Sequence, residues 1–163
     1  MPDLQSALSR IDEDLWRESA SQRGNIMWLP LWLISDSGLW IGLDRQARWV
    51  VGRLPGQVGH PTERLSPSWL PLLNHDESVA AEELSFGAAK HNLPAGLLES
   101  VPIDDIIVLA LTSNNAHWID RALIWLESRK VRDDINEMLP TVVSSRSASQ
   151  RARQRAKRLM GQG

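Results

Sequence analysis

From residue 76 to residue 140 the chain repeats apolar residues at three- and four-residue spacings, broken only by short polar turns. This pattern restricts the possible folds more than any other feature, because such spacing lines one face of an α-helix. Asp76 is placed to cap a helix through Lys90, with Glu77 near its positive end and Ala80, Leu84, Gly87 and Ala88 as its inner stripe. Pro94 opens a short helix through Ser100, since proline suits the first helical position. Pro102 opens the next, where Asp104 and Asp105 lie in the first turn and Ile103, Ile106, Ile107, Ala110 and Leu111 face inward. Asn115 caps a helix lined by Trp118, Ala122, Trp125 and Leu126, and residues 133–139 form another, stopped by Pro140. Helices joined by turns this short pack as antiparallel neighbours. No repeat of fixed period recurs, which argues against a true repeat protein.

The first half is harder to read. Leu4, Leu8, Ile11 and Leu15 predict an amphipathic helix over residues 3–20, stopped at Gly24. Residues 25–73 are punctuated by Pro30, Pro55, Pro61, Pro67 and Pro71. Their short apolar pieces read either as short helices or as a small β-hairpin near 39–54, built on GLWIGLD and ARWVVGRL. The expected fold is therefore mainly α: an irregular stack of antiparallel helical hairpins, α-solenoid-like or a bundle. Residues 1–145 form one helical domain with a Trp/Pro-rich irregular segment at 25–73, and 146–163 form a basic C-terminal helix docked on it.

Composition narrows the function classes. The chain has no cysteine, which rules out disulfides, a thiolate nucleophile and cysteine-ligated zinc. Its opening, MPDLQSALSRIDEDLW, is acidic and lacks an apolar run, so no secretory signal is read there. The most apolar stretch, residues 26–34, falls well short of the about 20 residues a membrane helix needs. A cytoplasmic protein without membrane contact is expected. Aromatic usage is lopsided, with eight tryptophans, one phenylalanine and no tyrosine. Tryptophan must then do most of the large-volume filling of the core, unless one or two of these rings are exposed anchors for a partner.

Motifs for chemistry are missing from the sequence. His60, His75, His91 and His117 have no metal-ligand spacing, and no phosphate-cradling glycine loop is present. Ser66 and Ser68 flank a proline without the small-residue surroundings of a nucleophile elbow. The doublets Glu82–Glu83, Asp104–Asp105 and Asp133–Asp134 point about 100° apart on a helix, so neither carboxylate of a doublet can share a substrate atom with the other. No catalytic residue, metal or cofactor is assigned, and an enzyme is not expected.

Residues 146–158 hold Arg146, Arg151, Arg153, Arg155, Lys157 and Arg158 and no acid. That leaves 12 basic and 20 acidic residues in 1–145, a net charge of −8. Ser147 is placed to cap a final helix with an apolar stripe of Ala148, Ala152, Ala156 and Leu159. The tail either docks through that stripe, stays solvated or meets nucleic acid; the absence of an aromatic residue to stack bases disfavours the last.

The segment PIDDIIVLALTSNNAHWIDRALIWLE at 102–127 and the tail RARQRAKRL at 151–159 resemble helical bacterial immunity proteins of polymorphic or contact-dependent toxin systems. The resemblance implies a module that binds and neutralises a cognate toxin domain, a basic nuclease in the case that best suits an acidic body, since opposite charge speeds encounter. Exposed-looking acids on the helices, Glu82, Glu83, Asp133, Asp134 and Glu137, are the candidate partner-binding residues. The alternative is a nucleic-acid-associated accessory protein that uses the basic C-terminal helix.

Overall fold

The computed structural model describes residues 4–21, 24–54, 60–61 and 65–161. Among these, the chain separates into two compact units that divide between Pro102 and Ile103.

The first unit overturns the mainly helical expectation. It holds an antiparallel meander of five strands in the order β1-β2-β3-β4-β5: β1 (Arg17–Ser21), β2 (Gly24–Ile34), β3 (Leu39–Asp44), β4 (Trp49–Gly52) and β5 (His60–Pro61). The helix expected over 3–20 shrinks to α1 (Leu4–Leu8), followed by a 3₁₀ turn at Glu13–Leu15. Leu15, assigned to the buried stripe, is exposed, while Trp16 beside it is buried. Residues 17–21 instead pair with β2, Arg17 opposite Trp28 and Ser21 opposite Gly24. The pairing is locked by the Trp28 indole N–H, which donates to the buried Ser19 hydroxyl at 2.9 Å. A strand ladder that also satisfies a buried indole outweighs weak local helical periodicity.

The segment read as irregular is thus the centre of a sheet. Pro30, which cannot donate a ladder hydrogen bond, sits beside a register shift between Pro30 and Trp32. Leu31 is the extra residue of this β-bulge. The candidate hairpin at 39–54 is present as β3 and β4, with Leu43 opposite Trp49, but as inner strands of a larger sheet. Its turn is held by Asp44, only 1% exposed. One Asp44 carboxylate oxygen accepts the backbone N–H of Gln46 and of Arg48, each at 2.9 Å, and the other accepts Arg48 Nε–H at 2.7 Å. Every residue of β4 is buried, as is most of β3. Strands covered on both faces show no alternation of apolar and polar residues.

A 3₁₀ segment, Pro67–Asn74, buries Trp69, Leu70, Leu72 and Leu73. After it, α2 (Glu77–Lys90) buries Ala80, Leu84, Gly87 and Ala88 and packs on β2. The helix expected from Pro94 is a 3₁₀ turn at Leu97–Ser100. Its Ser100 hydroxyl accepts the Trp49 indole N–H at 3.0 Å.

Helical hairpins are confined to the second unit: α3 (Ile103–Leu111) against α4 (Ala116–Glu127), and α5 (Asp133–Ser144) against α6 (Gln150–Met160). Asn115 caps α4, its side-chain oxygen accepting the N–H of His117 and Trp118. Pro140 does not end α5, which runs on to Ser144. Ile135, Leu139 and Val142 are buried on both sides of the proline, so packing carries the helix through an exposed break that alone costs about 3 kcal/mol. Ser149, not Ser147, caps α6 by accepting the Ala152 N–H at 3.0 Å. No helix among the described residues is long and apolar enough to cross a membrane.

Candidate functional site

The division into two units redistributes the charge. Residues 1–102 hold 13 acidic and 8 basic residues, net −5, whereas 103–163 hold 7 acidic and 10 basic, net +3. Of the net −8 read over 1–145, −5 belongs to the sheet-bearing unit and −3 to residues 103–145, and the six cations at 146–158 turn the second unit positive. The five candidate acids divide accordingly: Glu82 and Glu83 lie on α2 in the first unit, and Asp133, Asp134 and Glu137 on α5 in the second.

The outward face of α2 is built by a close approach on its inward side. An added Cβ at Gly87 would lie 2.2 Å from the carbonyl oxygen of Leu31, so glycine lets the helix backbone settle onto the bulge of β2. At about 100° per residue, Glu82, Phe86, Val79, Lys90 and Glu83 share one exposed arc, running from the side opposite the buried stripe at Glu82 to its margin at Glu83. Phe86, the chain's single phenylalanine, is 60% exposed, the highest value among the exposed large apolar residues, and Val79 is also exposed. Glu82 and Glu83 are exposed and make no ion pair among the described residues. The Lys90 ammonium lies over the Phe86 ring, 4.2 Å from its centre, a cation–π contact that leaves the residue 60% exposed. An exposed aromatic between two unpaired carboxylates suits a partner surface with an apolar pocket and a basic rim.

Of the α5 acids, Asp134 is held in an ion pair. Arg132 donates from Nε to Asp134 at 3.0 Å and from Nη1 to Asp105 at 3.2 Å, tying the start of α5 to the first turn of α3. Its hydrogen bonds hold the Asp134 carboxyl below the usual carboxylate range. Asp133 and Asp134 also stand in the first turn of α5, where negative charge complements the helix dipole. Asp133 and Glu137 are exposed, with no neighbouring exposed aromatic of the kind seen on α2.

The tryptophans are mostly core. Trp16, Trp28, Trp32, Trp49, Trp69 and Trp125 are buried, and Trp40 and Trp118 are half-buried. Among the described residues the most exposed aromatic is Phe86, which the residue pattern did not single out; the signal for it was an apolar residue on α2 outside the Ala80–Leu84–Ala88 stripe. His75 meets Trp32 edge-on with ring centres 5.1 Å apart, and His117 meets Trp118 in the same manner at 4.6 Å. The side chain of His60 lies outside the described residues. Among the described residues no three metal-binding side chains cluster. A cleft of about 590 Å³ is lined by Ser6, Ala7, Arg10, Ile11 and residues 91–94, with Arg10 and His91 as its ionisable groups. No family model, no curated protein and no solved structure matches the chain.

Proposed function

We propose that this is a cytoplasmic immunity-type protein that binds a cognate toxin domain and holds it inactive, with the outer face of α2 as the contact surface. The observation that carries the reading is Phe86, left more than half exposed between Glu82 and Glu83. Burying a phenylalanine stabilises by about 1.5–3 kcal/mol, and a fold that leaves its single phenylalanine in water forgoes that gain. Binding interfaces recover it, because buried aromatic anchors surrounded by a polar rim supply most of their energy. The net charge of −5 on the same unit favours a basic partner, as a nuclease toxin domain is.

The test is co-expression with any candidate toxin domain encoded beside this protein, scored by cell survival and by purified-complex affinity. The parent should protect. Phe86→Ala and the double variant Glu82→Lys/Glu83→Lys should each lose at least about tenfold in affinity, equivalent to about 1.4 kcal/mol, with unchanged thermal unfolding. Full protection and affinity in both variants would place the contact elsewhere on the surface. Failure of the parent to bind or protect would remove the immunity role.

A further inference from the structure

Residues 144–163 contain no aspartate or glutamate, and α6 disposes of its cations unequally. Ala152, Ala156 and Leu159 are buried against α4 and α5. Arg155, 11% exposed, is consumed by this docking, its guanidinium 2.8 Å from both Asp120 and Glu127. Arg158 reaches Glu127 at 3.2 Å but stays 68% exposed. Arg146, Arg151 and Lys157 are exposed and Arg153 is half-buried, and none of the four has an ion pair among the described residues.

At about 100° and 1.5 Å per residue, Arg153 and Lys157 form one row along the outer half of α6. Arg151 and Arg158 form a second, and Gln150 and Gln154 lie on the ridge between them. Lys157 and Arg158 stand in the last turn, where cations complement the helix dipole, but the rest of the arrangement works against the helix. Arg151 stands in the first turn, where no acid is present and a cation opposes the helix dipole. Arg153 and Lys157 are a like-charged pair four apart, each such pair costing a few tenths of a kcal/mol. A merely solvated face would be more stable with mixed charge. The rest of the unit, residues 103–145, is net −3 and offsets only half of the six cations at 146–158, leaving 103–163 at net +3.

We infer that the outer face of α6 is a docking surface for duplex DNA, gripping the phosphate backbone without reading sequence. The major groove of DNA admits a helix, where that of duplex RNA is too narrow. Two cationic rows on a helix about 10–12 Å across suit a groove edged by phosphates. The absence of any aromatic on α6 removes the stacking platform that single strands require. This activity is separate from toxin binding through α2 and involves a different unit of the chain.

The experiment is fluorescence anisotropy of the full-length protein, without toxin, against a labelled random-sequence DNA duplex and the matching RNA duplex. With about four phosphates engaged, affinity should fall about 100-fold from about 50 to about 200 mM salt, a log–log slope between about −3 and −4. Arg151→Gln/Lys157→Gln, both at exposed positions, should shorten the slope by about two, and adding Arg153→Gln should take it down by about one more. The RNA duplex should bind more weakly, and RNA binding as tight as DNA binding would overturn the DNA assignment. The inference is overturned if the DNA duplex does not bind at about 50 mM salt, or if the double variant, melting like the parent, binds DNA as the parent does. Toxin protection by that double variant should be unchanged, so this result and the test of the α2 face fail independently.

Discussion

Two residues at the ends of one helical turn of α2 show how local chemistry sets the first unit. Gly87 has no conformational reason to be glycine, so a helix-propensity argument would favour alanine there by up to about 1 kcal/mol. The built contact reverses the sign: a Cβ would meet the Leu31 carbonyl oxygen at 2.2 Å and its carbon at 2.8 Å, and neither is a flexible side chain. Gly87→Ala should destabilise by about 1–3 kcal/mol, as overpacking does; urea denaturation unchanged from the parent would mean that α2 is not seated on the bulge. At His91, just past the helix end, burial first and then Lys90 hold the imidazole below its ordinary 6.5. The folded state therefore resists a proton that the unfolded chain accepts. Stability from neutral His91 is complete above about pH 6.5 and is lost as pH falls through the lower folded value. His91→Gln should flatten that part of the stability–pH curve, measured by denaturation between about pH 7 and pH 5; a slope equal to the parent's would assign the pH dependence to other groups.

Elements that bury a whole stripe on one neighbour are the ones that periodicity identifies. Each inward residue expected for α3 is buried, as are Ala152, Ala156 and Leu159 of α6. The elements that break the pattern answer to their surroundings. α5 passes through Pro140 because Leu139 and Val142 are held in the core while the proline ring faces water. Pro140→Ala should restore a backbone donor at a cost in unfolded-chain entropy, for a net gain of about 1–2 kcal/mol. Equilibrium denaturation gives the value, and a loss of stability would show that the ring itself makes a needed contact. Residues 17–21 are the opposite case: too few for a stable helix, they find a ladder on β2.

Across the molecule, charge separates with the fold: net −5 on residues 1–102 and net +3 on 103–163. For a basic toxin domain, association should be fast at low salt and slow as salt rises, because steering is screened over about 8–10 Å at ordinary ionic strength. Dissociation should change far less. Stopped-flow mixing across a salt series measures both. Charge reversal at Glu82 and Glu83 should slow association, whereas reversal at Asp133 and Glu137 should leave it within about twofold, since those acids belong to the cationic unit. Equal effects from both pairs would show that the field of the whole chain, not the α2 face, guides encounter. A salt-independent rate would remove steering and leave toxin binding in place.

The helices from residue 77 onward were legible in outline because spacings of three and four act within one or two turns, whereas the proline and capping signals at Pro94, Pro140 and Ser147 misled. The exposure of Glu82 and Glu83 followed from the same wheel. The sheet was not legible. Its inner strands lose the two-residue alternation once both faces are covered, and β1 exists only because β2 lies alongside it. Which acids remain unpaired was likewise beyond reach of spacing, since Arg132 and Asp105 meet from positions 27 residues apart. Phe86 was ambiguous for the same reason: one apolar residue off the stripe is core or surface according to what packs above it, and nothing local in the chain specifies that.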